Sequence, residues 1–84
     1  MTKIAIIGAT TWGTTLSIVF GNAGYKINLL TRSKKEASII DNERENTKLL
    51  PGFKLPSNVT ISYSPKECIE HADMLIFAIP SRQV

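Results

Sequence analysis

The segment with the clearest chemical potential is Gly8-Ala9-Thr10-Thr11-Trp12-Gly13, in which two glycines bracket two threonines and an indole. In the phosphate-binding pattern G-x-G-x-x-G, the first glycine makes a tight turn and the second lets the backbone approach a pyrophosphate. The third allows a helix to pack closely on a strand. Gly8 and Gly13 fill the first and third places, whereas Thr10 stands at the second. An anion held there rests on the free N–H groups at a helix N-terminus, where the helix dipole also favours negative charge. The Thr10 and Thr11 hydroxyls can add bonds to a phosphate. The same segment also reads as a tight strand-to-helix turn that binds nothing. Trp12 reads equally as a nucleotide-stacking group and as a core-facing indole, since Leu16 follows one turn later.

A second chemical signal lies at Leu30-Thr31-Arg32-Ser33-Lys34-Lys35. Dinucleotide sites selective for NAD carry an acidic residue about 20 residues after the glycines, where it holds the ribose 2′-hydroxyl. No Asp or Glu occurs here before Glu36. Arg32 can stack on adenine and pair with a 2′-phosphate, a task suited to its planar fork. The expectation is a cofactor site for NADP in preference to NAD. The alternative is a solvated basic turn.

The elements that must position these residues follow from periodicity. Lys3 to Ile7 is a short apolar run, as in a strand buried on both faces of a parallel sheet. From Thr11 the period changes, and Trp12, Leu16, Val19, Phe20 and Ala23 predict one apolar helix face, with Gly24 as the stop. Lys26 to Leu30 reads as a second strand, Thr31 to Lys35 as a polar turn, and Glu36 to Asn46 as a helix. Leu49 to Pro56, with two prolines and a glycine, must be loop. Val59 to Tyr63 alternates as a third strand. Ser64, Pro65 and Glu67 begin a short helix with an N-cap, a proline at its first position and a capping box, ending near His71. Met74 to Ile79 is a fourth, buried strand closed by Pro80. Strict alternation of strands and helices predicts an α/β fold with a parallel sheet and right-handed crossovers.

Composition narrows the function classes. The 84 residues are 43% hydrophobic and 20% charged, with a net charge of +3. The positive residues are scattered, and the one cluster (Arg32, Lys34, Lys35) suits a single phosphate rather than a nucleic acid. No run approaches the ~20 apolar residues of a membrane span, and the N-terminus does not read as a signal peptide. The lone Cys68 reads as a small apolar group and fits a reducing, cytoplasmic setting. His71 reads as a surface or capping residue at a helix end, Asp73 as a turn. No His/Cys cluster has metal-ligand spacing.

Three blocks in order, GATTWGTT, ENTKLLPGFKLP and ADMLIFAIPS, span nearly the whole chain and resemble NAD(P)-dependent glycerol-3-phosphate dehydrogenase. The middle block, N-x-x-x-L-P-G-x-x-L-P from Asn46 to Pro56, is the specific one; the outer two are shared loosely with other dehydrogenases. The resemblance implies the opening part of a Rossmann-type nucleotide-binding domain, strand order 3-2-1-4, truncated here. It further implies a two-domain cytoplasmic enzyme interconverting glycerol 3-phosphate and dihydroxyacetone phosphate by hydride transfer with NAD(P). The cofactor contacts it implies fall on Thr11, Trp12, Arg32 and the neighbouring Ser33. Leu49 occupies the place of a family aromatic, so ring stacking on the cofactor is lost there. Pro80 and Ser81 match the segment leading to the nicotinamide, and Arg82 stands where the family often has Gln. The family's catalytic lysine and its substrate-phosphate ligands fall beyond residue 84. The chain alone is therefore expected to be inactive, and to self-associate through a bare fourth strand or be marginally stable. Three other readings stay open at this point: a non-catalytic NAD(P)-sensing module, another hydroxyacid dehydrogenase of related fold, and a fragment whose site is empty because of Thr10 and the truncation.

Overall fold

A computed structural model describes residues 2–79 of the chain, so Pro80, Ser81 and Arg82 lie outside the described residues. The elements alternate as β1 (Lys3–Ile7), α1 (Thr11–Asn22), β2 (Lys26–Leu30), α2 (Lys34–Glu43), β3 (Val59–Ser62), α3 (Pro65–Ile69) and β4 (Met74–Phe77). The four strands form one parallel sheet in the order β3-β2-β1-β4, the expected Rossmann arrangement.

The register explains how the core is layered. Ile4 pairs with Ile27 and Ile6 with Leu29, and Val59 extends the first row across β3. Because side chains alternate along a strand, these residues share one face, where Ile40 of α2 and partly buried Leu16, Ile18 and Phe20 of α1 cover them. The opposite face carries Ala5 and Asn28, paired with each other in register. There α3 closes over the sheet: the Asn28 amide donates to the Cys68 carbonyl at 3.1 Å, and the Cys68 thiol donates to the Asn28 carbonyl at 3.5 Å.

The α1 packing face differs from the expected one. Its buried residues are Gly13, Thr14, Ser17 and Gly21, whereas Val19 is exposed and Trp12 is 61% exposed. The small face wins because it lets the helix axis approach the sheet. A Cβ on Gly21 would stand 3.0 Å from Pro56 Cγ and 3.1 Å from Val59 Cγ2, tighter than most side chains tolerate. The hydroxyls it buries are satisfied locally, Ser17 donating to the Gly13 carbonyl at 2.9 Å. The helix ends as expected at Gly24, with φ +101°. Bonds from Tyr25 N to Phe20 O (3.1 Å) and from Gly24 N to Gly21 O (3.0 Å) complete a Schellman turn.

The second helix begins two residues earlier and stops three residues sooner than the expected Glu36 to Asn46. Ser33 is its N-cap, accepting from Glu36 N at 3.1 Å, while the Glu36 carboxylate accepts from Arg32 N at 3.2 Å. Lys34 and Lys35 thus belong to the helix rather than to a turn. At the far end Arg44 adopts the left-handed conformation, φ 53°. Its guanidinium donates to the carbonyls of Pro56 (2.7 Å) and Val59 (2.8 Å), which draws the chain out of the helix.

The fourth strand is not the buried strand expected from its composition. Met74 and Leu75 are about half exposed and Phe77 is 67% exposed. β4 lies at the sheet edge, pairing with β1 on one side, and α3 is too short to cover Leu75 and Phe77 on the face they share. The third strand and α3 sit where expected, within a residue or two, with Ser64 accepting from Glu67 N at 3.4 Å.

Candidate functional site

The Gly8–Gly13 loop, the candidate phosphate loop, joins β1 to α1 at the carboxyl edge of the sheet, where open α/β sheets bind ligands. Gly8 has φ +117°, and a Cβ there would lie 2.7 Å from the Ala78 carbonyl oxygen at the end of β4. A Cβ on Gly13 would overlap the Gly8 carbonyl oxygen. Both outer glycines are therefore required by close approach, one by the turn and one by the helix–strand contact. Thr10, at the place of the middle glycine, has φ −80° and ψ 177°, extended backbone that any residue adopts.

Thr10 is the N-cap of α1. Its Oγ1 accepts from Gly13 N at 3.0 Å, and its carbonyl accepts from Thr14 N at 2.9 Å. The Thr10 hydroxyl also donates to the Ala78 carbonyl at 2.6 Å. That hydroxyl has one proton, engaged here on the Ala78 carbonyl, and through these two bonds it shapes the loop. The Thr11 and Trp12 N–H groups, at the first two positions of α1, find no acceptor among the described residues. They are the donors a helix N-terminus offers to an anion.

Four of the sequence-derived residues line one cleft of about 250 Å³: Gly8, Thr10, Arg32 and Leu49, together with Ala9, Glu36 and Ile79. An adjoining cleft of about 200 Å³ shares Glu36 and Leu49 and takes in Ser33, Lys35 and Asn46. Gly13 is buried beneath the loop. Thr11 sits beside Leu49, its hydroxyl donating to the Leu49 carbonyl at 3.4 Å. Trp12 stands on the outer side of α1, which removes its core-facing reading.

Sequence reasoning gave Asn46 and Thr14 no part in the site. Both are buried: the Asn46 amide donates to the Ala9 carbonyl at 3.1 Å and to Thr14 Oγ1 at 2.9 Å. Partners 37 and 32 residues away leave no local signal; only the place of Asn46 at the head of the specific block pointed toward it. Glu36, noticed only as the first acid after β2, lines both clefts.

The perturbed groups lie elsewhere. Burial pushes the Cys68 thiol up from its ordinary range, which keeps it protonated and unreactive. The Gly52 N–H and then Lys54 hold the Glu45 carboxyl below its ordinary value. No cluster of three or more metal-ligating side chains occurs among the described residues. Nor is any described helix long and apolar enough to cross a membrane.

A family model described as the NAD-dependent glycerol-3-phosphate dehydrogenase N-terminus matches residues 3–84. A glycerol-3-phosphate dehydrogenase [NAD(P)+] of Corynebacterium glutamicum (strain R) is 39% identical over 82 residues, covering 98% of this chain and 25% of that protein. One of Thermus thermophilus is 34% identical over 80 residues, covering 95% of this chain and 25% of its own length. The crystal structure of glycerol-3-phosphate dehydrogenase from Coxiella burnetii superposes with a TM-score of 0.89 at 28% identity, over 95% of this chain and 25% of that one. The Plasmodium falciparum enzyme gives 0.83 at 32% identity, over 96% and 25%. The chain thus spans about a quarter of the length of these relatives. The match begins at β1 and includes the phosphate loop, the Asn46–Pro56 block and β4, the three blocks that carried the resemblance. The chain belongs to the family of NAD-dependent glycerol-3-phosphate dehydrogenase N-termini.

Proposed function

We propose that residues 1–84 are the first part of an NAD(P)-binding domain, holding the adenosine and pyrophosphate end of the cofactor. The enzyme so served interconverts sn-glycerol 3-phosphate and dihydroxyacetone phosphate, the cofactor supplying or accepting the hydride. The observation that supports this reading is the head of α1: two N–H groups with no acceptor among the described residues, on a loop whose outer glycines admit no Cβ. Gly8, Thr10 and Gly13 shape the loop, Thr11 and Trp12 offer backbone donors, and Leu49 forms an apolar wall of the cleft. Arg32 and Ser33, at the head of α2, face the ribose and its 2′-phosphate, which favours NADP over NAD. Trp12, exposed beside the loop, is free to stack on a ring.

The rest of the nucleotide domain and a substrate domain complete the enzyme, and the catalytic lysine implied by the family belongs to those parts. Residues 1–84 alone are therefore expected to bind cofactor without reducing dihydroxyacetone phosphate. The exposed edge of β4 pairs with a further strand, or with a second copy of this chain where none is offered. A cytoplasmic setting accords with the lone, buried free thiol of Cys68.

Calorimetric titration with NADPH and NADH tests the reading. NADPH should bind more tightly, and Arg32→Ala should erase the difference, weakening NADPH by about ten- to a hundredfold as a charge-assisted bond is lost. Absence of binding by either cofactor refutes the assignment; equal affinities refute the preference for NADP.

A further inference from the structure

We infer that Asn46 is a positioning residue of the dinucleotide site, acting through the peptide plane between Ala9 and Thr10. The inference rests on the cofactor reading above. Asn46 lies two residues past the left-handed end of α2 and is only 4% exposed. Its amide has two protons, and both are engaged: one on the Ala9 carbonyl (3.1 Å), one on Thr14 Oγ1 (2.9 Å). Its carbonyl oxygen accepts from Leu49 N at 3.4 Å. One side chain thereby joins the phosphate loop, α1 and the cleft wall.

In a planar trans peptide the C=O and the following N–H point in opposite directions. Holding the Ala9 carbonyl inward on Asn46 turns the Thr10 N–H outward, on the side where Thr10 lines the cleft. Without that hold the carbonyl side of the plane loses its bond, and a plane that tilted about the pinned Thr10 would present a carbonyl oxygen to an anion in place of a donor. The Leu49 N–H bond meanwhile keeps the apolar wall in register with the loop. The pyrophosphate is common to NAD and NADP, so Asn46 governs affinity for both, whereas Arg32 governs the ratio between them.

The test compares two amide ties. Asn58 also makes two bonds to backbone, to Gly21 O and Tyr25 O at 2.8 Å each, but at the opposite end of α1. Asn46→Ala is expected to weaken NADPH and NADH alike, by about tenfold, leaving their ratio unchanged. Asn58→Ala should lower the melting temperature similarly and leave both affinities as in the parent. Should Asn46→Ala fail to fold, Thr14→Val removes one of its partners and Thr14→Ser keeps it; the first should weaken both cofactors and the second should not. Parent-like binding by Asn46→Ala, or an equal loss in Asn58→Ala, overturns the positioning role. If the parent chain binds neither cofactor, the cofactor reading itself fails and this inference with it.

Discussion

Gly13→Ala isolates the contact on which the phosphate loop is built. Gly13 is the third residue of α1, in ordinary helical conformation, so the cost of the added methyl is steric. The methyl would overlap the Gly8 carbonyl oxygen and come within 3.1 Å of Ala78 Cβ. Gly8 has nowhere to retreat. Its N–H is bonded to the Leu30 carbonyl at 3.2 Å, and β1 is held between β2 and β4. The helix must therefore lift. Alanine gains about 1 kcal/mol in helix propensity, while overpacking costs about 1–3 kcal/mol. Lifting α1 also stretches the Gly13–Thr10 and Asn46–Thr14 bonds, each worth about 1 kcal/mol. The net destabilisation is about 3 kcal/mol, which lowers the melting temperature of a domain this small by about 12–24 °C. Gly24→Ala is the control: nothing lies within 4 Å of its Cβ, and only its φ of +101° opposes the change. That strain costs about 1–2 kcal/mol and leaves the proposed cofactor site intact. Thermal melts followed by circular dichroism, with NADPH titration of each variant, measure both effects. A Gly13→Ala chain that melts within about 3 °C of the parent and binds NADPH equally would refute the close helix–strand contact.

Other consequences are as direct. Cys68 should resist thiol reagents in the folded chain at mildly alkaline pH and react only on unfolding; prompt native labelling would contradict its burial against Asn28. Raising its folded pKa stabilises the fold below the ordinary thiol range, and that contribution fades as the pH climbs through it. Glu45 behaves oppositely: its pKa is lowered by the Gly52 N–H and Lys54, so its contribution is present above the usual carboxylate range and lost as pH falls below it. The protection of the Gly52 amide, its exchange rate relative to the intrinsic rate at the same pH, should then fall as Glu45 protonates, and in Glu45→Gln it should not change through the carboxylate range; acid-insensitive protection in the parent would argue against the bond at 2.9 Å. Finally, Leu75→Lys combined with Phe77→Lys should reduce self-association in sedimentation experiments, and an unchanged distribution would remove β4 as its cause.

The order of strands and helices was legible because the apolar period changes cleanly at Gly8, Gly24 and Ser64. What escaped was carried by tertiary partners. The buried face of α1 is made of Gly13, Thr14, Ser17 and Gly21, and no hydrophobic stripe marks a surface whose function is to be thin. Arg44 ends α2 because its guanidinium reaches carbonyls 12 and 15 residues on, a bond no local pattern announces. The apolar β4 sequence indicated burial, yet burial needs a neighbour, and composition cannot supply one. Within the site, Gly8 and Arg32 were readable from spacing after their strands. Leu49 came only from the resemblance, since the loop that carries it returns to the phosphate loop through Asn46 and Thr11. Asn28 and Asn46 look like surface residues in sequence; each is buried by bonding to a distant carbonyl.

The doubly engaged hydroxyl of Thr10 bears on the thermodynamics of capture. A glycine in its place would leave the loop mobile until a ligand ordered it, and the ordering entropy would count against binding. Here the Gly13 N–H and the Ala78 carbonyl fix the turn through Thr10 as the chain folds. The loop is therefore preorganised, its freedom lost before any anion arrives. Association should show a small entropic penalty and little structural rearrangement, and Thr10→Gly should shift the balance toward a more favourable enthalpy offset by a larger entropy loss.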